Sequence, residues 1–371
     1  MSNQKQCAVE VNNNFHMKLF KELFQQEQDS FVFSPYSINF IMMMVYQGMD
    51  GQTKKEFEAV YGLPENNEMM IKGFLEFDNE IQHEQLRTAN AQFIESSYEH
   101  SLKKEFTTVL KDAKFALNLC NFITDANVER TKINSWVSDK TNNLIPEILS
   151  EGSLSSDTRM VLVNTLYLKM EWIYSFSNSH NSDFVRMDNS TKKVELMKMN
   201  APHNFPYYED ECHQIVLLPY ESKSFVAGDF SMGIILQKNK GKIDPVFDFD
   251  SIIRNTQPEL VDVRIPKFTT EFDIELSKMY KKFGLISAFD ETNANFGKMT
   301  KTNDLYIDKI CHKAKIIVDE QGTEAAAATA VMTLFGCSLP KKSKYFTADH
   351  AFQYFIMQNQ SKTILFSGVF N

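Results

Sequence analysis

Apolar residues recur at helical spacing through the early part of this chain and in alternation through the later part. Val11, Phe15, Leu19 and Leu23 repeat every four residues, the stripe of an amphipathic helix. Phe31-Val32-Phe33 predicts a short strand, and Pro35 suits the first turn of a following helix that Gly48 and Gly51 end. Thr53-Lys54-Lys55-Glu56 has the spacing of a capping box, which predicts another helix with Phe57 and Val60 on its inner face. Asn66 to His100 supports at least one helix and a strand near Gln92 to Ile94. Leu102, Phe106, Val109 and Leu110 form a clearer helical face. A further helix is predicted from about Val128 to Thr141, with Ile133, Trp136 and Val137 inward.

From Met160 onward the pattern turns to strands. Met160 to Leu168 is a long run of strand-forming residues, suited to a strand covered on both faces. Asn164 interrupts it, and a buried amide there needs partners. Ile215 to Leu218 and Met232 to Leu236 read as strands. Val261, Val263 and Ile265 alternate with Asp262 and Arg264, a half-buried strand. Leu276, Met279, Tyr280 and Phe283 give one more helix, closed by Gly284. Ile310, His312, Ala314, Ile316 and Val318 alternate with Cys311, Lys313 and Lys315. Tyr354 to Met357 and Ile364 to Phe370 are two closing strands. Early helices and late strands predict an α+β fold with a large mixed sheet. No linker, repeat or low-complexity break divides the 371 residues, which predicts a single domain.

Composition narrows the function classes. The net charge of −9 is scattered and argues against a nucleic-acid surface. No apolar run reaches membrane-spanning length. Thirty-one Phe and 18 Met fit a large, adaptable core. The five cysteines, Cys7, Cys120, Cys212, Cys311 and Cys337, are widely spaced and suggest free thiols in a reducing compartment. Met1 to Val11 lacks a signal-peptide core, which predicts a cytoplasmic protein or release by a non-classical route. No phosphate loop, metal-ligand spacing or paired carboxylates appear, so a non-enzyme without metal or cofactor is expected.

Val318 to Pro340 fits no ordinary element. Ala325 to Ala328 favour helix, Val331 to Phe335 favour strand, and Gly322, Gly336 and Pro340 favour loop. Read with a period of two, Thr323, Ala325, Ala327, Thr329 and Val331 share one face of an extended chain, all small or β-branched. Glu324, Ala326, Ala328, Ala330 and Met332 share the other. Such a segment fits between two strands at little steric cost. A short Ala-rich helix followed by an apolar loop is the plainer alternative.

Glu320-Gln321-Gly322-Thr323-Glu324-Ala325-Ala326-Ala327-Ala328-Thr329 resembles the hinge signature of inhibitory serpins, the serine protease inhibitor superfamily. Phe31-Val-Phe-Ser34-Pro-Tyr-Ser37-Ile38 is similar to the family's Val-Phe-Ser-Pro-x-Ser-Ile segment. Asn164 to Trp172 resembles its Asn-x-x-Tyr-Phe-Lys-Gly-x-Trp segment, with Met170 in place of Gly, and Ile265 to Phe268 its Pro-Lys-Phe segment. Ala351 stands where serpins usually have Pro. The resemblance runs over nearly the whole chain and is to the intracellular, ovalbumin-like type. It implies a serpin-like single domain, residues 1–371, with a large central sheet, further sheets, about eight or nine helices and an exposed reactive-centre loop at about 320–343.

The resemblance also implies roles. Ser34, Ser37, Asn164 and His312 match the shutter beneath the central sheet, where the residues alone suggest only a satisfied core histidine. Trp172 matches the breach, where the loop enters the sheet. Glu320, Gly322, Thr323, Glu324, Ala325 to Ala328 and Thr329 match the hinge; apart from the resemblance, Lys278 and Lys281 are within the choice of ion-pair partners for Glu320, an exposed pair of little worth for which no partner is assigned. Candidate reactive bonds are Phe335–Gly336, Gly336–Cys337 and Cys337–Ser338. The implied function is suicide inhibition of a serine protease by a monomer, with a covalent acyl complex and no nucleic acid or membrane partner. Phe335 and the absence of Arg or Lys from Val331 to Leu339 favour a chymotrypsin-like target such as cathepsin G. Alternatives are a non-inhibitory serpin acting as chaperone or binding module, or a cross-class inhibitor of cysteine proteases. A Cys337 nucleophile with His350 as base is the enzymatic alternative.

Overall fold

The structure, a computed structural model, describes residues 2–63, 68–81, 86–168, 170–221, 228–246, 249–323 and 343–371. The chain gathers into two compact units. The first takes Met1–Phe15, Phe33–Tyr167 and Phe272–Lys315; the second takes His16–Val32, Leu168–Glu271 and Ile316–Asn371. Eight α-helices, two 3-10 turns and seventeen strands occur among the described residues, so the fold is α+β as the pattern predicts.

The first unit is organised around the helix Pro35–Tyr46, whose twelve residues are all buried. Its Ile, Met, Phe, Val and Tyr side chains surround the axis, and such a helix must be covered on every side. Ser34 is its N-cap, its Oγ accepting the Ser37 N–H at 3.1 Å. The next helix, Gly51–Tyr61, starts earlier than expected. Asp50 caps it, Gly51 opens it at φ 51°, and Thr53 lies inside it, facing Ser287 Oγ at 2.9 Å. Glu56 accepts the Ile286 and Ser287 N–H groups instead of closing a capping box. A tertiary contact has taken over the two residues that local spacing assigned to the cap.

Two other helices depart from their predicted bounds. The helix Lys104–Asp112 buries Phe106 and Leu110, with Leu102 ahead of it. The helix expected from Val128 begins at Phe122 and kinks at Asp125 (φ −138°, ψ 39°). Phe122, Ile133 and Val137 pack in one cluster with Val161, Val163 and Cys311, while Trp136 is half-buried.

Four strands complete this unit. Leu86–Glu95 pairs in parallel with Ala116–Cys120 and also borders Met160–Leu168. Met160–Leu168 runs parallel to Lys309–Val318, with Asn164 directly opposite His312. Val161, Val163 and Cys311 lie on the side of the helix Phe122–Lys140. Asn164 and His312 take the other side, with Ser37. Both faces are covered, which is why Cys311, on the polar side of the expected alternation, is 6% exposed.

The second unit is mostly antiparallel sheet. His213–Glu221, Phe230–Gln237, Phe352–Gln358 and Thr363–Phe370 pair in that spatial order. Gln257–Pro266 pairs with Thr191–Met199 and His203–Glu209, and in parallel with Lys344–Thr347. Phe184, Phe268, Phe352 and Phe370 form one aromatic core, with Phe268 and Phe370 centroids 4.6 Å apart. Met170 opens the strand Met170–Trp172 and is fully buried. Ala351 donates its N–H to Val185 O at 2.9 Å, a bond that a proline at this position would lack.

Candidate functional site

In the first unit, Ser34, Ser37, Asn164 and His312 come together in one buried cluster, each with 0% exposure. Backbone geometry fixes its polarity. The Ser34 N–H donates to His312 Nε2 at 3.1 Å, so Nε2 is an acceptor and Nδ1 carries the proton. His312 Nδ1 then donates to Asn164 Oδ1 at 2.5 Å. The Asn164 amide nitrogen is thereby turned toward Ser37 Oγ at 2.5 Å and toward Asn90 Oδ1. The Ser37 hydroxyl faces Asn90 Oδ1 at 3.1 Å and Thr165 O at 3.3 Å. Burial lowers the His312 pKa to about 3, the Asn164 contact opposing only in part, so the ring is neutral.

This cluster ties a helix N-terminus to three neighbouring strands by bonds that have no alternative partners in water. Asn90 was absent from the sequence-derived set. Its signal was an amide at alternate spacing from Gln92 within the apolar strand around Ala89, Ala91 and Phe93.

In the second unit the chain reverses immediately after Val318. Asp319 Oδ1 accepts the N–H groups of Gln321 at 2.9 Å and Gly322 at 3.1 Å, and Asp319 N–H donates to Gly322 O at 2.9 Å. Gly322 and Thr323 then form a short strand between two others. Thr323 pairs antiparallel with Val318 on one side and with Met170 on the other, and Gly322 pairs with Glu171. Only glycine fits at 322, because a Cβ there would lie 2.1 Å from Met170 O.

Trp172 frames this turn. Its indole N–H donates to Asp319 O at 3.0 Å, its backbone N–H to Gln321 O at 2.8 Å, and its ring stacks on Tyr220 at 4.5 Å and 13°. Tyr220 Oη lies 2.9 Å from Thr323 Oγ1, and Thr323 is 1% exposed. Glu320 pairs with Lys267 at 2.9 Å rather than with Lys278 or Lys281. The Lys267 hydrogen bond holds the Glu320 carboxyl below its ordinary pKa. Although Lys267 lies in the Pro-Lys-Phe segment, neither its contact with Glu320 nor that of Tyr220 with Thr323 is visible locally, since each forms only when distant strands come together. Glu324, Ala325 to Ala328, Thr329, Phe335, Gly336, Cys337 and Ser338 lie outside the described residues.

A family model for the serpins (serine protease inhibitors) matches residues 10–371. The chain belongs to the serpin family. This serpin is 33% identical, over 98% of its length, to an uncharacterised serpin-like protein of Thermococcus kodakarensis, covering 85% of that protein. It is 31% identical to human Serpin B8, with 98% of each chain covered. Among solved structures it matches Serpin48 of the insect Tenebrio molitor, a highly specific serpin, with TM-score 0.84 and 27% identity over 100% of this chain and 98% of that one. Serpins are mostly protease inhibitors rather than catalysts.

The local chemistry at His350 bears on the enzymatic alternative. In this serpin His350 Nδ1 faces Asp349 Oδ1 at 2.8 Å, and Nε2 faces Gln237 O at 2.5 Å. Both ring nitrogens lie against protein oxygens and the ring is buried, so neither nitrogen is presented to an incoming nucleophile. Burial pushes the Asp349 carboxyl up, but hydrogen bonds from His350 and Lys240 outweigh it and hold the group below its ordinary range. Among the described residues no group of three or more His, Cys, Asp or Glu is placed to hold a metal ion, and no helix is long and apolar enough to cross a membrane.

Proposed function

We propose that this serpin is a monomeric suicide inhibitor of serine proteases with chymotrypsin-like specificity. The observation that carries the reading is the short strand Gly322–Thr323, with Thr323 paired to Val318 on one side and to Met170 on the other. The segment from Thr323 to about Met332 continues them in sequence with Ala, Thr and Val. The target's serine Oγ attacks a carbonyl among Phe335 to Cys337, the C–N bond breaks, and the amine leaves with a proton. An ester then joins protease and inhibitor. The severed segment extends the strand that Thr323 begins, gaining ladder hydrogen bonds and burying small side chains. The attached protease is dragged along and distorted. Its oxyanion donors and base act only within hydrogen-bond reach, so deacylation stalls.

In this reading residues 1–371 act as one domain, with the reactive-centre loop at about 320–343. Ser34, Ser37, Asn90, Asn164 and His312 act as the shutter, and Trp172 with Tyr220 as the breach. The free thiols Cys7, Cys120, Cys212 and Cys311 support a reducing, cytoplasmic working compartment. Incubation with chymotrypsin and with cathepsin G tests the reading. A protease–serpin complex that survives denaturing electrophoresis is expected, and cleavage without a complex defeats it.

A further inference from the structure

The orientation of the shutter amides has a consequence in the first unit. Asn90 Oδ1 is committed to Ser37 and Asn164, so Asn90 Nδ2 is turned away from the cluster. That nitrogen has no hydrogen-bond partner, although Asn90 is only 8% exposed. Unpaired buried donors are uncommon and require an explanation.

Asn90 forms part of the wall of a cavity of about 440 Å³. Phe40, Phe115 and Trp136 supply aromatic faces, and Lys114 and Lys140 stand in the same lining. Neither lysine forms an ion pair among the described residues. Lys114 is held in the left-handed region at φ 52°, a conformation in which residues other than glycine are uncommon. Asp78 also lines the cavity, and its Oδ1 accepts the Tyr36 hydroxyl at 2.9 Å. The volume is that of a small-molecule site, and the lining is half apolar and half polar, which suits a ligand with an apolar body and a charged group.

We propose that this cavity binds a small planar aromatic carboxylate, its ring between Phe40, Phe115 and Trp136 and its carboxylate taken by Asn90 Nδ2, Lys114 and Lys140. The unused Asn90 N–H is the donor on that wall, and it serves the ligand while Oδ1 keeps its bonds to Ser37 and Asn164. Because Asn90 Oδ1 accepts from Ser37 and Asn164, an occupant engages the shutter from its far side. Occupancy holds the closed cluster and slows loop insertion; this consequence, unlike the binding itself, rests on the inhibitor reading.

The test uses the full chain and 2-naphthoate, with the uncharged 2-naphthalenemethanol as control. Calorimetry is expected to show one site for 2-naphthoate, with at least tenfold weaker binding of the alcohol. Lys114→Glu combined with Lys140→Glu, both on exposed side chains, is expected to weaken naphthoate at least tenfold. Ala113→Trp, which fills the cavity and keeps both lysines, is expected to abolish it. In asparagine-labelled protein the Asn90 side-chain amide resonance should shift with naphthoate and stay fixed with the alcohol. No binding, or equal binding by the parent and both variants, overturns the site. Binding that leaves the rate of protease-complex formation unchanged overturns the coupling to the shutter. A parent that forms no protease complex removes the inhibitor reading, while the calorimetry still decides the site.

Discussion

Thr323 and Gly322 show how much rests on side-chain size in the short strand Gly322–Thr323. A Thr323→Arg substitution would place a guanidinium where the residue is 1% exposed and Tyr220 offers only a hydroxyl. The expected outcome is conversion of inhibitor to substrate, read on a gel as cleaved serpin without a covalent complex. If Thr323→Arg inhibits as well as the parent, strand insertion is not the mechanism. Gly322→Ala forces a Cβ against Met170 O. It is expected to destabilise the protein by about 1–3 kcal/mol, as overpacking does, measured by urea unfolding.

Histidine burial sets the acid response at the same scale. His312 and His16 are each lowered to about 3 by burial, from an ordinary value of 6.5. Below pH 6.5 the unfolded chain takes up these protons, and the folded chain does not until about pH 3. Stability therefore falls as pH drops through that window, by up to about 1.4 kcal/mol per pH unit for each histidine, and is unaffected by them above it. His312→Gln is expected to remove one of the two protons from the slope. An unchanged slope in pH-dependent urea unfolding would contradict the neutral, buried assignment.

At the scale of elements, the helix Phe122–Lys140 is fastened to the segment that follows it chiefly through Asn134. Asn134 Oδ1 accepts the Ile148 N–H at 3.0 Å and the Leu149 N–H at 2.9 Å, while Nδ2 donates to Leu149 O at 2.9 Å. Arg130 adds a bond to the same carbonyl at 3.1 Å. Asn134→Ala strands two buried N–H groups, each worth about 1–3 kcal/mol. Amide exchange at Ile148 and Leu149 is expected to speed by at least tenfold, while the strand Met160–Leu168 keeps its protection. Uniform acceleration of both would show that the anchor is not local.

For the whole molecule the decisive comparison is intact against cleaved chain. The cleaved form should melt at a distinctly higher temperature, since an added strand gains ladder bonds and apolar burial. Mass spectrometry of the cleaved protein should find the cut at Phe335–Gly336, Gly336–Cys337 or Cys337–Ser338. A cut after Lys341 or Lys342 would point to a trypsin-like target instead.

What the sequence determined by itself was local or periodic. The helix carrying Phe15 and Leu19, the strand centred on Asn164 and the alternation around His312 could be read because side-chain spacing and backbone geometry share one period. Bounds failed where a distant contact outbid the local one, as when Ser287 and Ile286 claimed Thr53 and Glu56, and where a helix ran through a kink at Asp125 that breaks its period. The polarity of the buried cluster needed tertiary structure, since one backbone N–H on Ser34 decides which way His312, Asn164 and Asn90 all face. The same holds for Tyr220 against Thr323 and Lys267 against Glu320, partners far apart in sequence that only strand pairing brings within a hydrogen bond.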